Sequence, residues 1–63
     1  MSFKEWFEMS NLTPMAFSRI VGVQRLTVVD ILKGKRKPSR RTIGKFVMKT
    51  RNMKVPITRE MFE

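Results

Sequence analysis

The chain has 63 residues, enough for one small domain, which buries only about 60% of the surface its unfolded form exposes. It contains no cysteine and no histidine, so disulfides, thiol nucleophiles, the commonest metal ligand and the usual general base are missing, and we expect no enzyme, no small-molecule substrate, no cofactor and no metal site. Fourteen Lys and Arg residues against five Asp and Glu give a net charge of +9, which indicates a polyanion or an acidic membrane as the partner.

The apolar pattern argues against the membrane. Uninterrupted apolar runs extend over only two or three residues, as in Phe46–Met48, whereas a spanning helix needs about 20. The first residues include Glu5 and Trp6 where a secretory signal has a basic start and an apolar stretch. We therefore expect a soluble cytoplasmic protein whose residues 1–63 form a single domain.

Local signals predict a first helix that runs from Phe3 to about Ser10. Ser2 and Glu5 have the spacing of a capping box, in which each side chain satisfies a free backbone N–H of the other residue. Apolar residues then fall at positions i, i+3 and i+4, which places them on one buried face. They are Phe3, Trp6 and Phe7.

A second helix is predicted from Pro14 to Val21. Thr13 is a suitable cap, and proline at the first helical position loses no hydrogen bond. Phe17 and Val21 share a face, and Gly22 ends the helix because glycine readily adopts the left-handed conformation.

A third helix is predicted over residues 24–33, with Gly34 at its end. Its apolar stripe consists of Val28, Ile31 and Leu32. The two short helices and the turn between them have the composition of a helix-turn-helix, in which the second helix lies in the major groove of DNA.

Ser39 is the expected cap of a fourth helix, whose buried residues are Ile43, Phe46 and Val47. Gly44 within it costs about 1 kcal/mol relative to alanine, which suggests a close packing contact. Asn52 is the expected left-handed terminator.

The last segment is predicted to be extended over residues 55–57, because the residue before Pro56 avoids the helical region. Thr58 is expected to cap a final turn through Met61 and Phe62 that folds back on the core. The predicted fold is thus all-α, a compact four- to five-helix bundle with a helix-turn-helix and a short extended C-terminal tail.

Positive charge is concentrated in one segment. Ten of the fourteen cations lie in the 22 residues from Lys33 to Lys54, and no acidic residue lies between Asp30 and Glu60. Like charges repel unless an anion binds, so a run of one sign favours a phosphate-binding surface over an ordinary solvated one.

The two short helices, the glycine turn between them and the basic segment that follows resemble the lambda-repressor/Cro-like helix-turn-helix family. The resemblance covers roughly residues 12–48, and its most specific part is Gly-Lys-Arg-Lys-Pro-Ser at 34–39. It implies a phage or prophage repressor in the bacterial cytoplasm that binds a near-palindromic operator as a homodimer. Three residues depart from the family pattern: Ser18 stands where the family usually has alanine, Pro14 replaces a glutamine that touches phosphate in many members, and Leu32 replaces a common glutamate of an internal ion pair.

The resemblance implies that the third helix contacts bases through Gln24, Arg25, Leu26 and Asp30. Arg25 would bind guanine or a phosphate, and Leu26 would contact a thymine methyl. The alternative for Arg25 is an exposed arginine with a packed aliphatic stem, and the nucleic-acid contact is favoured over it. Asp30 either accepts from a cytosine amino group or forms a surface ion pair with Arg25 or Lys33.

The expected backbone contacts follow on from this helix. They are Thr27, Lys33, Lys35, Arg36, Lys37, Ser39, Arg40 and Arg41. Arg41, Lys45 and Lys49 recur every four residues, either as a longer backbone track or as a solvated face, the second being favoured beyond Arg41.

The function expected from these observations is sequence-specific binding of double-stranded DNA. The alternative is a protein-interaction module that modulates a repressor or toxin and buries Ile20, Leu26 and Val29 in its partner. RNA binding is a weaker possibility, because single-strand recognition uses exposed aromatic residues and the aromatic residues here all lie on predicted core stripes.

Overall fold

Short polar residues begin three of the four α-helices in the computed structural model, which describes all 63 residues. The elements are α1 (Phe3–Ser10), α2 (Pro14–Val21), α3 (Arg25–Leu32), α4 (Arg40–Thr50) and a terminal 3-10 turn (Arg59–Phe62). There is no β-strand, so the prediction of an all-α fold is confirmed. No helix combines the length and the apolar character that crossing a bilayer requires.

The predicted helix starts are confirmed by their hydrogen bonds. Ser2 Oγ accepts the Glu5 N–H at 3.2 Å while Glu5 Oε1 accepts the Ser2 N–H at 3.0 Å, which completes the capping box. Thr13 and Ser39 each accept the backbone N–H three residues later, at 3.1 and 3.2 Å. These bonds satisfy N–H groups that lack a partner inside the helix.

The helix ends were predicted correctly at the glycines and incorrectly at Asn52. Gly22 and Gly34 have φ angles of +71° and +77°, in the left-handed region. The only other residue there is Asn11, at φ 59°, which ends α1. Asn52 is not left-handed, because the chain leaves α4 through a right-handed turn in which the Met53 N–H donates to the Thr50 carbonyl at 3.0 Å.

The core is a cluster of aromatic rings surrounded by aliphatic side chains. Phe17 and Phe46 are fully buried, with ring centres 5.1 Å apart, and Phe3 stacks on Phe46 at 5.4 Å. Burial of each such ring stabilises the fold by roughly 1.5–3 kcal/mol, and tilted or offset pairs add to this. Each helix thus contributes residues of its predicted stripe to one core, but Phe7, Leu32 and Val47 are only partly buried against it. The prediction that Ile43 is buried was wrong, because it lies along a surface groove beside the last turn. The other buried apolar residues are Trp6, Val21, Val28, Ile31 and Ile57.

The C-terminal tail is fastened to the helices by hydrogen bonds as well as by packing. Trp6 Nε1 donates to the Val55 carbonyl at 2.7 Å. Thr50 is buried, and its Oγ1 donates to the Phe46 carbonyl at 2.7 Å and accepts the Ile57 N–H at 3.0 Å. The tail therefore completes the core and, through Thr50, is connected to α4.

The predicted return of the tail to the core is confirmed, since the Phe62 ring lies 5.0 Å from the Phe3 ring. Thr58 does precede the last turn, but its side chain makes no capping hydrogen bond, so that part of the prediction was wrong.

The close packing contact predicted at Gly44 is absent. A Cβ atom at this position would find as its nearest neighbour the Arg59 guanidinium, at 3.9 Å, which is ordinary van der Waals contact. The glycine is therefore not required by steric crowding.

Candidate nucleic-acid interface

The α2–α3 pair is the most extensively packed pair of helices in the molecule, and three residues, 22–24, join them. The Gly22 and Val23 N–H groups both donate to the Ser18 carbonyl, at 2.9 and 3.2 Å. This closes the end of α2 and turns the chain sharply into α3. Val21 and Val28, on either side of the turn, are both buried in the hydrophobic core. The sequence-predicted helix–turn–helix arrangement is therefore present.

The helix α3 is one residue shorter at each end than predicted, with Gln24 and Lys33 as its flanking residues. Its buried residues are Val28 and Ile31. Since successive residues are turned by about 100°, Leu26, Asp30 and Lys33 lie on the side opposite this buried pair. Leu26 is 65% exposed, a large value for leucine in a helix interior.

The first turn of α3 is exposed and lacks any negative charge. Gln24 stands at the cap position without a side-chain capping bond, and neither it nor Arg25 is buried. The positive end of the helix dipole thus faces an arginine with no acidic residue in the turn to offset it. Free N–H groups, the dipole and a guanidinium together favour an anion at this end.

The basic loop after α3 is folded back against that helix. The Lys35 N–H donates to the Asp30 carbonyl at 2.9 Å, and Gly34 supplies the left-handed turn that makes this possible. Arg36 Nη1 reaches Thr27 Oγ1 at 3.5 Å, a long bond that nevertheless places the loop beside the first half of α3. Lys33, Lys35, Arg36 and Lys37 are all exposed.

The helix α4 begins directly after this loop, and its first turn, like that of α3, contains arginine and no acidic residue. The Ser39 hydroxyl caps α4, and Arg40 and Arg41 occupy its first turn, again without an acidic residue. Both arginines are exposed. Two helix N-termini of like sign therefore flank the basic loop, whereas α1 carries Glu5 at its own start, in agreement with its dipole.

Asp30 is half-buried on α3 and takes no part in the one side-chain hydrogen bond between this helix and the loop. The ion pair predicted for it thus gains no support, and the contact with cytosine stays a prediction. Acidic residues do not gather elsewhere either, since no group of three could hold a metal ion.

No family model matches this chain, and searches of curated proteins and of solved structures found no match either. The Cro-like family resemblance therefore stays a resemblance.

The structure brings together Thr27 and Arg36 and places the exposed residues of the α3 first turn beside the basic loop. Four of the six aromatic side chains are buried, namely Phe3, Trp6, Phe17 and Phe46, whereas Phe7 and Phe62 are partly buried against the core.

Arg51 belongs to the predicted basic run, but sequence reasoning missed that Arg51 and Asn52 lie with Lys45 and Lys49 along one open groove. Helical periodicity does not reveal them, because a turn after α4 brings them there.

Proposed function

We propose that this protein binds double-stranded DNA sequence-specifically as a transcriptional regulator, with α3 in the major groove. The single observation that carries the proposal is the exposed, acid-free first turn of α3 held beside a loop of one charge sign. A helix of this diameter fits the major groove, and the neighbouring cations fit the phosphates on its edge.

The residues of α3 supply different base contacts. Gln24 can pair bidentately with adenine, and Arg25 with guanine or with a phosphate at the groove edge. Leu26 is 65% exposed, and contact with a thymine methyl would remove its apolar surface from water. Asp30, on the same side of the helix as Leu26, would accept a hydrogen bond from cytosine.

The cations around α3 supply affinity and orientation. The backbone contacts proposed are Thr27, Lys33, Lys35, Arg36, Lys37, Ser39, Arg40 and Arg41. Six of these residues are cationic, and all six are exposed, so they can reach phosphates without moving the core. Because each contact displaces condensed counterions, binding is expected to weaken steeply with salt.

One short helix reads few base pairs, so we propose that two copies bind a near-palindromic operator and act as a repressor by excluding polymerase. Half-sites one helical turn apart lie about 34 Å from centre to centre. The molecule measures 27 × 24 × 20 Å, so two copies fit side by side and can touch only through a small surface. Ile20, 40% exposed on α2, is the candidate for that contact.

Selection of bound duplexes from a random pool tests this function, because it yields both the preferred sequence and its symmetry. The selected duplex and a scrambled version are then titrated at several salt concentrations. A retained preference for the selected duplex, with steeply falling affinity, is the expected result. Equal affinity for both duplexes at every salt concentration would contradict sequence-specific recognition.

The exposure of Leu26 and Ile20 also favours a second function, a module that docks on a repressor or toxin. Substitution of Arg25 and Arg36 by glutamate separates the two functions. It should abolish DNA binding in the first case, whereas in the second it should leave binding to the protein partner largely intact.

A further inference from the structure

One side of α4 forms an open, strongly basic groove. Arg41, Lys45 and Lys49 recur every fourth residue along it, and all three are exposed. Arg51 and Asn52 extend the groove beyond the end of the helix, to a volume of about 510 Å³. We call this surface the α4 groove.

The α4 groove differs from an ordinary solvated helix face because it contains no acidic residue. Like charges at i and i+4 destabilise a helix by about 0.2–0.5 kcal/mol per pair, and Arg41–Lys45 and Lys45–Lys49 are two such pairs. By contrast, Lys4 on α1 has an acid, Glu8, four residues later. The repulsion in α4 is thus offset only when something anionic binds.

The dimensions of the groove match a nucleic-acid strand. Eight residues separate Arg41 from Lys49, which is about 12 Å along a helix axis. One strand of duplex DNA presents about one phosphate per 3.4 Å of its axis, hence three to four phosphates over this length. The groove offers three cations over the same distance, and Arg51 and the amide of Asn52 continue it beyond Lys49.

The groove also has a suitable position in the chain. Arg41 lies in the first turn of α4, immediately after the basic loop, whereas Lys49 lies in the last turn. A phosphate strand that contacts the loop and Arg40 can therefore continue along α4 away from α3. Met48, 66% exposed in the groove, provides an apolar contact for the sugar edges between the cations.

We propose that the α4 groove is a second, sequence-independent surface for the phosphate backbone of double-stranded DNA, which extends the contact beyond the base pairs that α3 reads. The proposal rests on the proposed function in one respect: the same duplex is taken to contact α3 and the α4 groove. Binding at the groove itself requires no base recognition.

The test compares two double variants that remove the same charge from different places. Lys45→Gln with Lys49→Gln empties the α4 groove of two cations. Lys4→Gln with Lys54→Gln is the matched control, because Lys4 lies on α1 and Lys54 lies beside Trp6 on the tail side. Each variant lowers the net charge by two, and all four lysines are exposed, so both proteins should fold. Circular dichroism melting verifies this.

The readout is filter binding to a random-sequence duplex of about 30 base pairs at several salt concentrations. The slope of log affinity against log salt is negative, and each phosphate contact contributes about −0.9 to it. Loss of two contacts should therefore make the slope less steep by about 1.8. With equal affinities at 1 M salt as the reference, this difference in slope corresponds to roughly 60-fold weaker binding of the variant at 0.1 M salt. The control pair should change the slope by less than about 0.5, and Lys45→Arg with Lys49→Arg should retain the wild-type slope.

Equal slopes for the two glutamine pairs would overturn the proposal, because the effect would then be one of net charge. The selected duplex distinguishes this outcome from failure of the proposed function. If α3 reads no bases, Leu26→Ala leaves the preference between selected and scrambled duplexes unchanged, and the difference between the two glutamine pairs on random DNA still supports the groove.

Discussion

The hydroxyl of Thr50 is the polar link between α4 and the C-terminal tail, and replacing Thr50 by valine tests it. Valine has nearly the same shape as threonine, so packing around the site is preserved. The Ile57 N–H, which donates to Thr50 Oγ1 at 3.0 Å in a residue only 1% exposed, loses its partner. We expect Thr50→Val to destabilise the protein.

The magnitude follows from the orphaned donor. An unsatisfied buried N–H costs about 1–3 kcal/mol, whereas a methyl in place of the hydroxyl regains up to about 0.8 kcal/mol. The net loss therefore lies between about 0.2 and 3 kcal/mol, and the middle of that range, about 1–2 kcal/mol, is the expected value. For a domain of this size, 1 kcal/mol shifts Tm by roughly 4–8 °C, so Tm should fall by about 4–16 °C.

Thermal unfolding followed by circular dichroism measures this shift. Thr58→Val is the matched control, since Thr58 is exposed and makes no side-chain capping bond. Its Tm should stay within about 4 °C of the wild type, because exposed substitutions without partners change stability by less than about 0.5 kcal/mol. If both variants shift Tm equally, or if Thr50→Val shifts Tm by no more than the change allowed for Thr58→Val, the Thr50 hydroxyl does not hold the tail.

Three further substitutions test other features. Gly44→Ala should raise Tm by roughly 4–8 °C, because alanine is favoured over glycine by about 1 kcal/mol in a helix and the Cβ has room; a lower Tm would reveal crowding. The Ser2 backbone and side-chain hydrogen bonds lower the pKa of the Glu5 carboxyl, so its stabilising effect is present at neutral pH and is lost as the pH falls through that pKa. Glu5→Gln keeps a side chain that can complete the capping box but removes the titrating carboxyl, so the acid-side decline of Tm should become shallower, and an unchanged decline would mean that ionisation of Glu5 does not contribute to stability. Leu26→Ala should leave Tm nearly unchanged but lower the preference for one selected thymine about fourfold, from about 0.8 kcal/mol of lost methyl contact; repeated duplex selection with an identical result would exclude that contact.

Much of the fold could be predicted because its signals act within four residues. The bonds of Ser2 with Glu5 and the left-handed turn at Gly22 are local, and their residue types identify them. The same holds for the spacing of the buried faces. The two asparagines show the limit, since Asn11 is left-handed and Asn52 is not. The path of the tail, which no local pattern encodes, decides between them.

The long-range contacts could not be predicted for the same reason. Trp6 bonds to a carbonyl 49 residues away, and the buried position of Thr50 depends on a partner across a turn. Of the candidate site, the charge run and the outward residues of α3 were readable, because charge and periodicity are properties of sequence. The basic stripe of α4 was readable too, but its extension into a groove was not, since that depends on where Arg51 and Asn52 come to lie.

The bond between Trp6 and Val55 also gives the protein an internal optical probe. Trp6 is the only tryptophan and the chain has no tyrosine, so the intrinsic fluorescence comes almost entirely from one indole, held where the N-terminal helix meets the tail. A red shift of its emission therefore signals that the tail has come away and water has reached the ring. A ligand bound to α3 would leave the wavelength of Trp6 emission nearly constant, whereas a ligand that displaces the tail would shift it to the red.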